Sequence, residues 1–209
     1  MLGLAAVCLG ASMLAGCNES KFHSIDISGE LPSLAFTMTR AADHKEVTQA
    51  DYRGQVVLLY FGYTFCPDIC PTTLTNVHDV LRDLGPDAKQ VRVLFVTVDP
   101  NRDTLPILAD YVKNFGLHME GLRATPDELA TLARRYRFVC SVKPATKDHP
   151  YEVTHSSTIY VFDGTGTARL LVSSLATAKP DIKGTTADLK RLVEESHPPG
   201  LLERLENIV

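Results

Sequence analysis

The sequence has no excess of positive charge. Its 209 residues include 21 lysines and arginines against 25 aspartates and glutamates, which gives a formal net charge of −4. Because nucleic-acid binding usually needs a basic surface that neutralises phosphates, this balance disfavours a nucleic-acid partner. The sequence also lacks any apolar run of the roughly 18 to 20 residues that would span a bilayer. Charge and hydropathy therefore argue against a nucleic-acid-binding protein and against a membrane-spanning helix.

The composition is otherwise that of a globular protein. Hydrophobic residues make up 44% and charged residues 22% of the chain, which disfavours disorder, collagen and coiled coil for the whole sequence. The length suits one domain with short extensions, and it is sufficient to bury a core without disulfide support.

The N-terminus differs from the rest of the sequence. Residues 1–16 carry no charge and are small and apolar, as in the hydrophobic region of a secretory signal. They end in Leu14-Ala15-Gly16-Cys17, which resembles a bacterial lipobox, although the usual basic residue near the start is missing. The resemblance implies cleavage before Cys17 and lipidation of its sulfur, hence anchoring at a membrane on the periplasmic side of the cell envelope. The alternative is an apolar N-terminus that frays or forms a buried first helix.

The organisation predicted from the sequence has four parts. Residues 1–16 are a lipoprotein-type signal peptide, residues 17–33 a polar tether that begins at the lipidated Cys17, residues 34–196 the folded domain, and residues 197–209 a C-terminal tail.

Strand and helix patterns alternate within this domain. The continuous apolar runs Val56–Gly62 and Val91–Val98 predict strands that are buried on both faces, and Thr72–Leu84 has helical spacing. The other predicted elements are a helix capped by Asp103 or Thr104 and running to Phe115, a helix from a capping box at Thr125 and Glu128 through Tyr136, a hairpin of Ser157–Phe162 and Ala168–Val172, and a helix over Thr185–Glu195. This order predicts an α/β, thioredoxin-like fold with a central mixed sheet flanked by helices.

Two of the five cysteines form a C-x-x-x-C pair directly after the first predicted buried strand. Cys66 and Cys70 lie at the head of a helix, where residues four apart share a face and the positive end of the helix favours thiolates. Such a pair can bind one metal ion or close a disulfide, and the spacing alone leaves both open. Of the other cysteines, Cys8 and Cys17 belong to the N-terminal segment, and the apolar context of Cys140 predicts a small buried hydrophobe.

The spacing narrows the class of site. Thioredoxin-type oxidoreductases use C-x-x-C, and two cysteines fall short of the four ligands of a structural zinc site. Two thiolates with a third soft or borderline ligand suit copper, because Cu(I) prefers sulfur and Cu(II) accepts imidazole. Among seven histidines His155 is one candidate, since it immediately precedes a predicted strand at a loop that could face the cysteines. The full set is His23, His44, His78, His118, His149, His155 and His197.

Three blocks of sequence carry a resemblance to a known family. The segments FGYTFCPDICPTTL (residues 61–74), VTVDPNRDT (residues 96–104) and YEVTHSSTIYVFD (residues 151–163) resemble the Sco/SenC family, in this order, over roughly residues 31–195. Two positions depart from the family pattern: Phe65 stands where many relatives have His, and Thr154 where many have Asp.

The resemblance implies a copper-binding, thioredoxin-like protein that assists assembly of the dicopper centre of cytochrome c oxidase. Cys66 and Cys70 would be thiolate ligands and also the redox pair, and His155 the imidazole ligand. Asp99 would either tune the copper site or serve as a turn residue before Pro100, and Phe65 would tune the site from outside the ligand set. The implied partners are a copper-receiving oxidase subunit or another copper chaperone.

Two alternatives remain open at this point. The first is a thiol–disulfide reductase that keeps the copper-site cysteines of the oxidase reduced, so that the protein is an enzyme rather than a metallochaperone. The second is a protein of redox or peroxide defence.

Overall fold

The computed structural model of the chain describes residues 22–148 and 151–197. Strands and helices alternate along it. The strands are β1 (Ile25–Asp26), β2 (Thr37–Arg40), β3 (Glu46–Thr48), β4 (Val56–Gly62), β5 (Val91–Thr97), β6 (Met119–Arg123), β7 (Cys140–Lys143), β8 (Glu152–His155), β9 (Ile159–Phe162) and β10 (Ala168–Val172). The α-helices are α1 (Ile69–Leu84), α2 (Leu105–Lys113), α3 (Pro126–Tyr136) and α4 (Ile182–Ser196), and short 3₁₀ helices cover Gln49–Tyr52, Gly85–Gln90 and Ser174–Ala176.

Eight of these strands form one mixed sheet in the order β1-β10-β9-β4-β5-β6-β2-β3. β4 pairs with β5 and β5 with β6 in parallel, whereas β9 lies antiparallel on the other side of β4. Every residue of β4 is buried, because its uninterrupted apolar run leaves no polar face for solvent. The predicted α/β fold, a central mixed sheet flanked by helices, is confirmed.

The start of α1 differs from the prediction. The helix begins at Ile69, three residues before the predicted Thr72, so both Cys70 and Pro71 belong to its first turn. The Thr72 amide donates to the Asp68 carbonyl at 3.1 Å and closes that turn. Pro71 is tolerated there because the first N–H groups of a helix have no partner within the helix.

The hairpin of β7 and β8 forms a separate two-stranded sheet. Sequence patterns did not predict it, nor β1, β2, β3 and β6, because these short strands lack the continuous apolar runs and the turn signal that identified the other strands. The hairpin matters for function because β8 ends at His155.

The predicted tether, residues 17–33, packs on the domain from Phe22 onward. The backbone amides of His23 and Ser24 donate to the buried Asp188 carboxylate on α4, at 2.9 and 2.7 Å. β1 then pairs antiparallel with β10. The described part of this segment, residues 22–33, thus belongs to the folded domain, which begins earlier than the predicted boundary at residue 34. A carboxylate on α4 supplies acceptors that local sequence does not reveal.

The direction of β1 fixes where the chain enters the domain. Ile25 pairs with Leu171, which pairs with Tyr160 and hence lies level with Leu59, the middle residue of β4. The N-terminal segment therefore reaches the sheet level with the middle of β4, and Phe22 lies against Arg191 of α4, with 4.3 Å between the guanidinium carbon and the ring centroid. Residues 1–16, Cys17 and most of the tail predicted at 197–209 lie outside the described residues. Within the described ranges, no helix combines the length and apolar character that crossing a membrane requires.

Candidate metal and redox site

Cys66 and Cys70 lie between the end of β4 and the first turn of α1. Cys66 is 8% exposed in the connecting turn, and Cys70 is fully buried in the helix. The Cys70 backbone amide donates a hydrogen bond to the Cys66 Sγ at 3.4 Å. The start of the helix therefore directs one of its free N–H groups at the first sulfur, as the position of the pair predicts.

His155 reaches the same point from the end of β8, 85 residues away in sequence. Its Nε2 lies 3.3 Å from the Cys70 Sγ. Its Nδ1 lies 2.9 Å from the carbonyl oxygen of Ser156. Because a carbonyl only accepts, the ring proton belongs on Nδ1, and the lone pair of Nε2 faces the cysteines.

The donor atoms of Cys66, Cys70 and His155 all lie within 4.8 Å of one another. Among the described residues this is the only group of three or more His, Cys, Asp or Glu side chains arranged so that it could hold a metal ion. Two sulfurs and one imidazole nitrogen fit copper in either oxidation state, and they contain too few ligands for a closed zinc site.

The two thiols are electrostatically different. The hydrogen bond from the Cys70 thiol lowers the pKa of Cys66, and the bond from the Cys70 amide lowers it further. The same bond between the sulfurs, together with burial, raises the pKa of Cys70. The pKa of Cys66 therefore lies below that of Cys70, so that negative charge is favoured on Cys66.

Aromatic rings enclose this group. The Tyr60 hydroxyl lies 3.7 Å from the Cys70 Sγ, and the ring of Tyr63 meets the His155 imidazole edge-on at 5.6 Å between centroids. Sequence reasoning did not single out either tyrosine. Tyr60 lies in β4, and Tyr63 lies in the turn of residues 63–68 that connects β4 to α1, which we name the cysteine turn. Both side chains restrict water around the sulfurs.

Gly62 provides the space that Cys70 occupies. A Cβ added to Gly62 would lie 2.8 Å from the Cys70 Sγ and 2.6 Å from a ring carbon of Phe95. We expect Gly62→Ala to destabilise the fold by about 1–3 kcal/mol through overpacking and to displace the Cys70 sulfur. Thermal unfolding and Cu(I) affinity measure the two effects.

Gly121→Ala is the matched control. Its added Cβ would lie 2.7 Å from the Leu108 side chain, in a part of the core without cysteines. Both variants should be less stable, but only Gly62→Ala should lose Cu(I) affinity. Equal affinities in the two variants would contradict the role assigned to Gly62.

Asp99 lies beside the site without joining the ligand group. Its carboxylate is fully buried and accepts hydrogen bonds from the Tyr151 hydroxyl at 2.8 Å and from the Arg102 Nε at 2.5 Å. Its backbone carbonyl accepts from the amides of Arg102 and Asp103, as in a turn. Phe65 is 54% exposed and stacks on the Arg102 guanidinium, with 4.9 Å between the guanidinium carbon and the ring centroid. Neither Asp99 nor Phe65 is among the three metal-ligand candidates.

Asp103 positions the cysteine turn, a role that sequence reasoning missed. The amide and hydroxyl of Thr64 donate to its carboxylate at 3.0 and 2.6 Å, and the Thr97 hydroxyl donates at 2.5 Å. The sequence suggested Asp103 or Thr104 as a helix cap, and Thr104 takes the N-cap position. A buried acid directly before a cap residue gives no local signal that it binds a distant turn.

Cys140 is less buried than its apolar context predicts. It lies in β7 directly opposite His155 of β8, is only partly buried, and is a free thiol. It packs at the edge of the core because a two-stranded hairpin covers only part of each side chain. Burial raises the pKa of Cys140, and the thiol is not a member of the candidate ligand group.

Comparisons with known proteins point to one family. Residues 30–194 match the family model described as SCO1/SenC. The Bos taurus "Protein SCO2 homolog, mitochondrial" is 44% identical over 120 residues, covering 56% of this chain and 45% of the relative. The Mus musculus "Protein SCO1 homolog, mitochondrial" is 36% identical over 169 residues, covering 76% and 59%. The chain spans about half the length of the curated relatives it matches.

A solved structure shows the same fold. Bradyrhizobium japonicum ScoI with copper bound is similar to this chain with a TM-score of 0.66 and 37% identity, covering 77% of this chain and 98% of that one. The likeness confirms the thioredoxin-like fold predicted from the order of elements.

Proposed function

Because the chain belongs to the SCO1/SenC family, we propose that it is a copper chaperone that assists assembly of the dicopper centre of cytochrome c oxidase. Copper is its cargo, held by Cys66, Cys70 and His155. The observation that carries the proposal is the convergence of two sulfurs and one imidazole nitrogen within 4.8 Å.

The donor set suits a metal that is taken up and passed on. The Cys66 thiolate and the Cys70 sulfur supply the soft ligands that hold Cu(I), and the Nε2 of His155 adds the nitrogen that Cu(II) favours. Cys66 lies in a turn that keeps some exposure, and a groove lined by Tyr63, Pro67, Ile69 and Val153 opens beside it. An incoming ligand from a partner can approach from that groove.

The second candidate function is thiol–disulfide reduction. It is favoured by the lower pKa of the Cys66 thiol relative to the Cys70 thiol. The Cys66 thiolate would attack a disulfide of the client and form a mixed disulfide. Cys70 would then lose its proton, attack the Cys66 sulfur and release the client as a dithiol. Two electrons pass to the client, and a Cys66–Cys70 disulfide remains.

Assembly of the oxidase in cells separates the two functions. In a strain lacking the gene, we expect neither Cys70→Ala nor His155→Ala to restore the dicopper centre, because the proposed delivery needs the imidazole for transfer of copper even though two thiolates suffice to hold Cu(I). The measurement is the copper content and activity of the oxidase. If His155→Ala restored assembly while Cys70→Ala failed, reduction would be the main function and copper delivery would not.

We further propose that Cys17 is lipidated and anchors the domain on the periplasmic side of a membrane. Cys17 stands five residues before Phe22, and five residues span at most about 18 Å. Phe22 packs on α4 directly before β1. A lipid on Cys17 would therefore keep the domain close to the membrane, where an oxidase subunit or another membrane-bound copper chaperone could receive the metal.

Replacing Cys17 tests the anchor. We expect Cys17→Ser to release the protein from the membrane fraction or to leave an uncleaved precursor, because lipidation and cleavage both require the thiol. Metabolic labelling with palmitate measures the modification, and Cys140→Ser is the control that should keep the label. Equal labelling of wild type and Cys17→Ser would contradict the proposal.

A further inference from the structure

Four residues from three segments converge beside the site. Arg102, in the turn after β5, lies with its guanidinium carbon 4.0 Å from the ring centroid of Tyr151 and 4.9 Å from that of Phe65. Its Nε donates to Asp99, whose other carboxylate oxygen accepts from the Tyr151 hydroxyl. Phe65 precedes Cys66, and Tyr151 precedes the strand that ends at His155. We name Phe65, Asp99, Arg102 and Tyr151 the Arg102 clasp.

We propose that the Arg102 clasp positions His155 over the cysteine pair. The inference rests on the proposed copper site and assigns positioning residues to it. The planar guanidinium of Arg102 contacts Phe65 in the cysteine turn and Tyr151 directly before β8. The clasp therefore joins the two parts of the chain that must meet for three donor atoms to converge.

The hairpin needs such a connection. β7 and β8 form their own two-stranded sheet outside the eight-stranded one, and isolated two-stranded hairpins are only marginally stable in water. Most of the hairpin's side chains are exposed or partly exposed. At the far end of β8, the Ser156 amide donates to the Val139 carbonyl at 3.0 Å. Tyr151 fixes the near end through Asp99 and Arg102.

The charges of the clasp explain its rigidity. Asp99 is fully buried, so its carboxylate requires the guanidinium and the tyrosine hydroxyl as partners. Arginine is suited to this place because its flat guanidinium can pair with a carboxylate at one edge while its faces contact aromatic rings. Lysine carries the same charge without the planar face, so Arg102→Lys separates stacking from charge.

The test compares copper in its two oxidation states. We expect Arg102→Lys to weaken Cu(II) binding about tenfold and to shift the Cu(II)–thiolate absorption, while Cu(I) affinity changes less than about threefold. The difference arises because Cu(II) depends more on His155. Tyr151→Phe, which removes only the hydroxyl, should shift both quantities in the same direction but less. Arg92→Lys is the control, since Arg92 pairs with Glu120 away from the site.

Amide hydrogen exchange of the reduced, metal-free protein gives a second readout. We expect the β8 amides to exchange about tenfold faster in Arg102→Lys and to be unchanged in Arg92→Lys. If Arg102→Lys and Tyr151→Phe both fold and leave the Cu(II)-to-Cu(I) affinity ratio and β8 exchange at wild-type values, the proposal is overturned. If wild type binds no copper, the proposed function fails, and β8 exchange alone decides whether the clasp holds the hairpin.

Discussion

Replacing either Cys66 or Cys70 with serine is expected to abolish tight Cu(I) binding. Each change leaves one thiolate and one imidazole, and a hydroxyl is a poor ligand for a soft cation. We expect the affinity to fall by about a thousandfold or more, equivalent to about 4 kcal/mol. Competition with a chromogenic Cu(I) chelator measures the loss in the reduced protein.

Cys140→Ser is the matched control, because it makes the same atomic change at a third free thiol. Cys140 lies opposite His155 across the hairpin but is outside the group of converging donor atoms. Its loss should leave the affinity and the stoichiometry at wild-type values. If Cys140→Ser halves the bound copper, Cys140 takes part in the site and the assignment of three ligands is wrong.

Replacing His155 is expected to separate the two oxidation states of copper. Cu(I) remains well bound by two thiolates, so His155→Ala should weaken it by less than about tenfold. Cu(II) needs nitrogen and a higher coordination number, and its affinity should fall by about a hundredfold or more. The charge-transfer absorption of the Cu(II)–thiolate site should fade or shift in the same variant. Titration with each ion under matched conditions provides the comparison.

His78→Ala is the control for His155. His78 lies on the exposed face of α1, and its imidazole contacts the Phe115 carbonyl. It is outside the ligand group. The His78→Ala variant should bind both ions as wild type does.

The thiol–disulfide exchange rate of His155→Ala should change little, since exchange needs only the two cysteines. An equal loss of Cu(I) and Cu(II) would show that His155 supports the fold of the site and not the preference for Cu(II).

The parts of the fold that the sequence predicts are those whose information is local. Val56–Gly62 is a strand with the predicted bounds because seven consecutive apolar residues have no solvent-facing side. The capping box of α3 forms as predicted, since Thr125 and Glu128 contact each other's backbone within one turn. The hairpin of β7 and β8 and the edge strand β1 escaped prediction because distant residues hold them in place. Asp99 accepts from Tyr151 beside the hairpin, and Asp188 accepts from the two amides before β1.

The site shows the same division between local and distant information. Residues 66 and 70 are brought together by the turn that contains them, so their spacing is informative by itself. His155 is one of seven histidines, and its position before a predicted strand makes it only a candidate; the resemblance to a family is what assigned it as the ligand. The contact of Asp99 with Arg102 is local, but its contact with Tyr151 joins residues 52 apart in sequence, which no sequence spacing reveals.

The most direct test of the copper proposal is a Cu(I) titration of the protein before and after oxidation of its cysteines. The reduced protein should bind one Cu(I) per monomer, because the described residues contain one converging group of two sulfurs and one imidazole. Oxidation to a Cys66–Cys70 disulfide removes both thiolates and should abolish this binding. No tight Cu(I) binding by the reduced protein, or equal binding by the reduced and oxidised forms, would contradict the proposal.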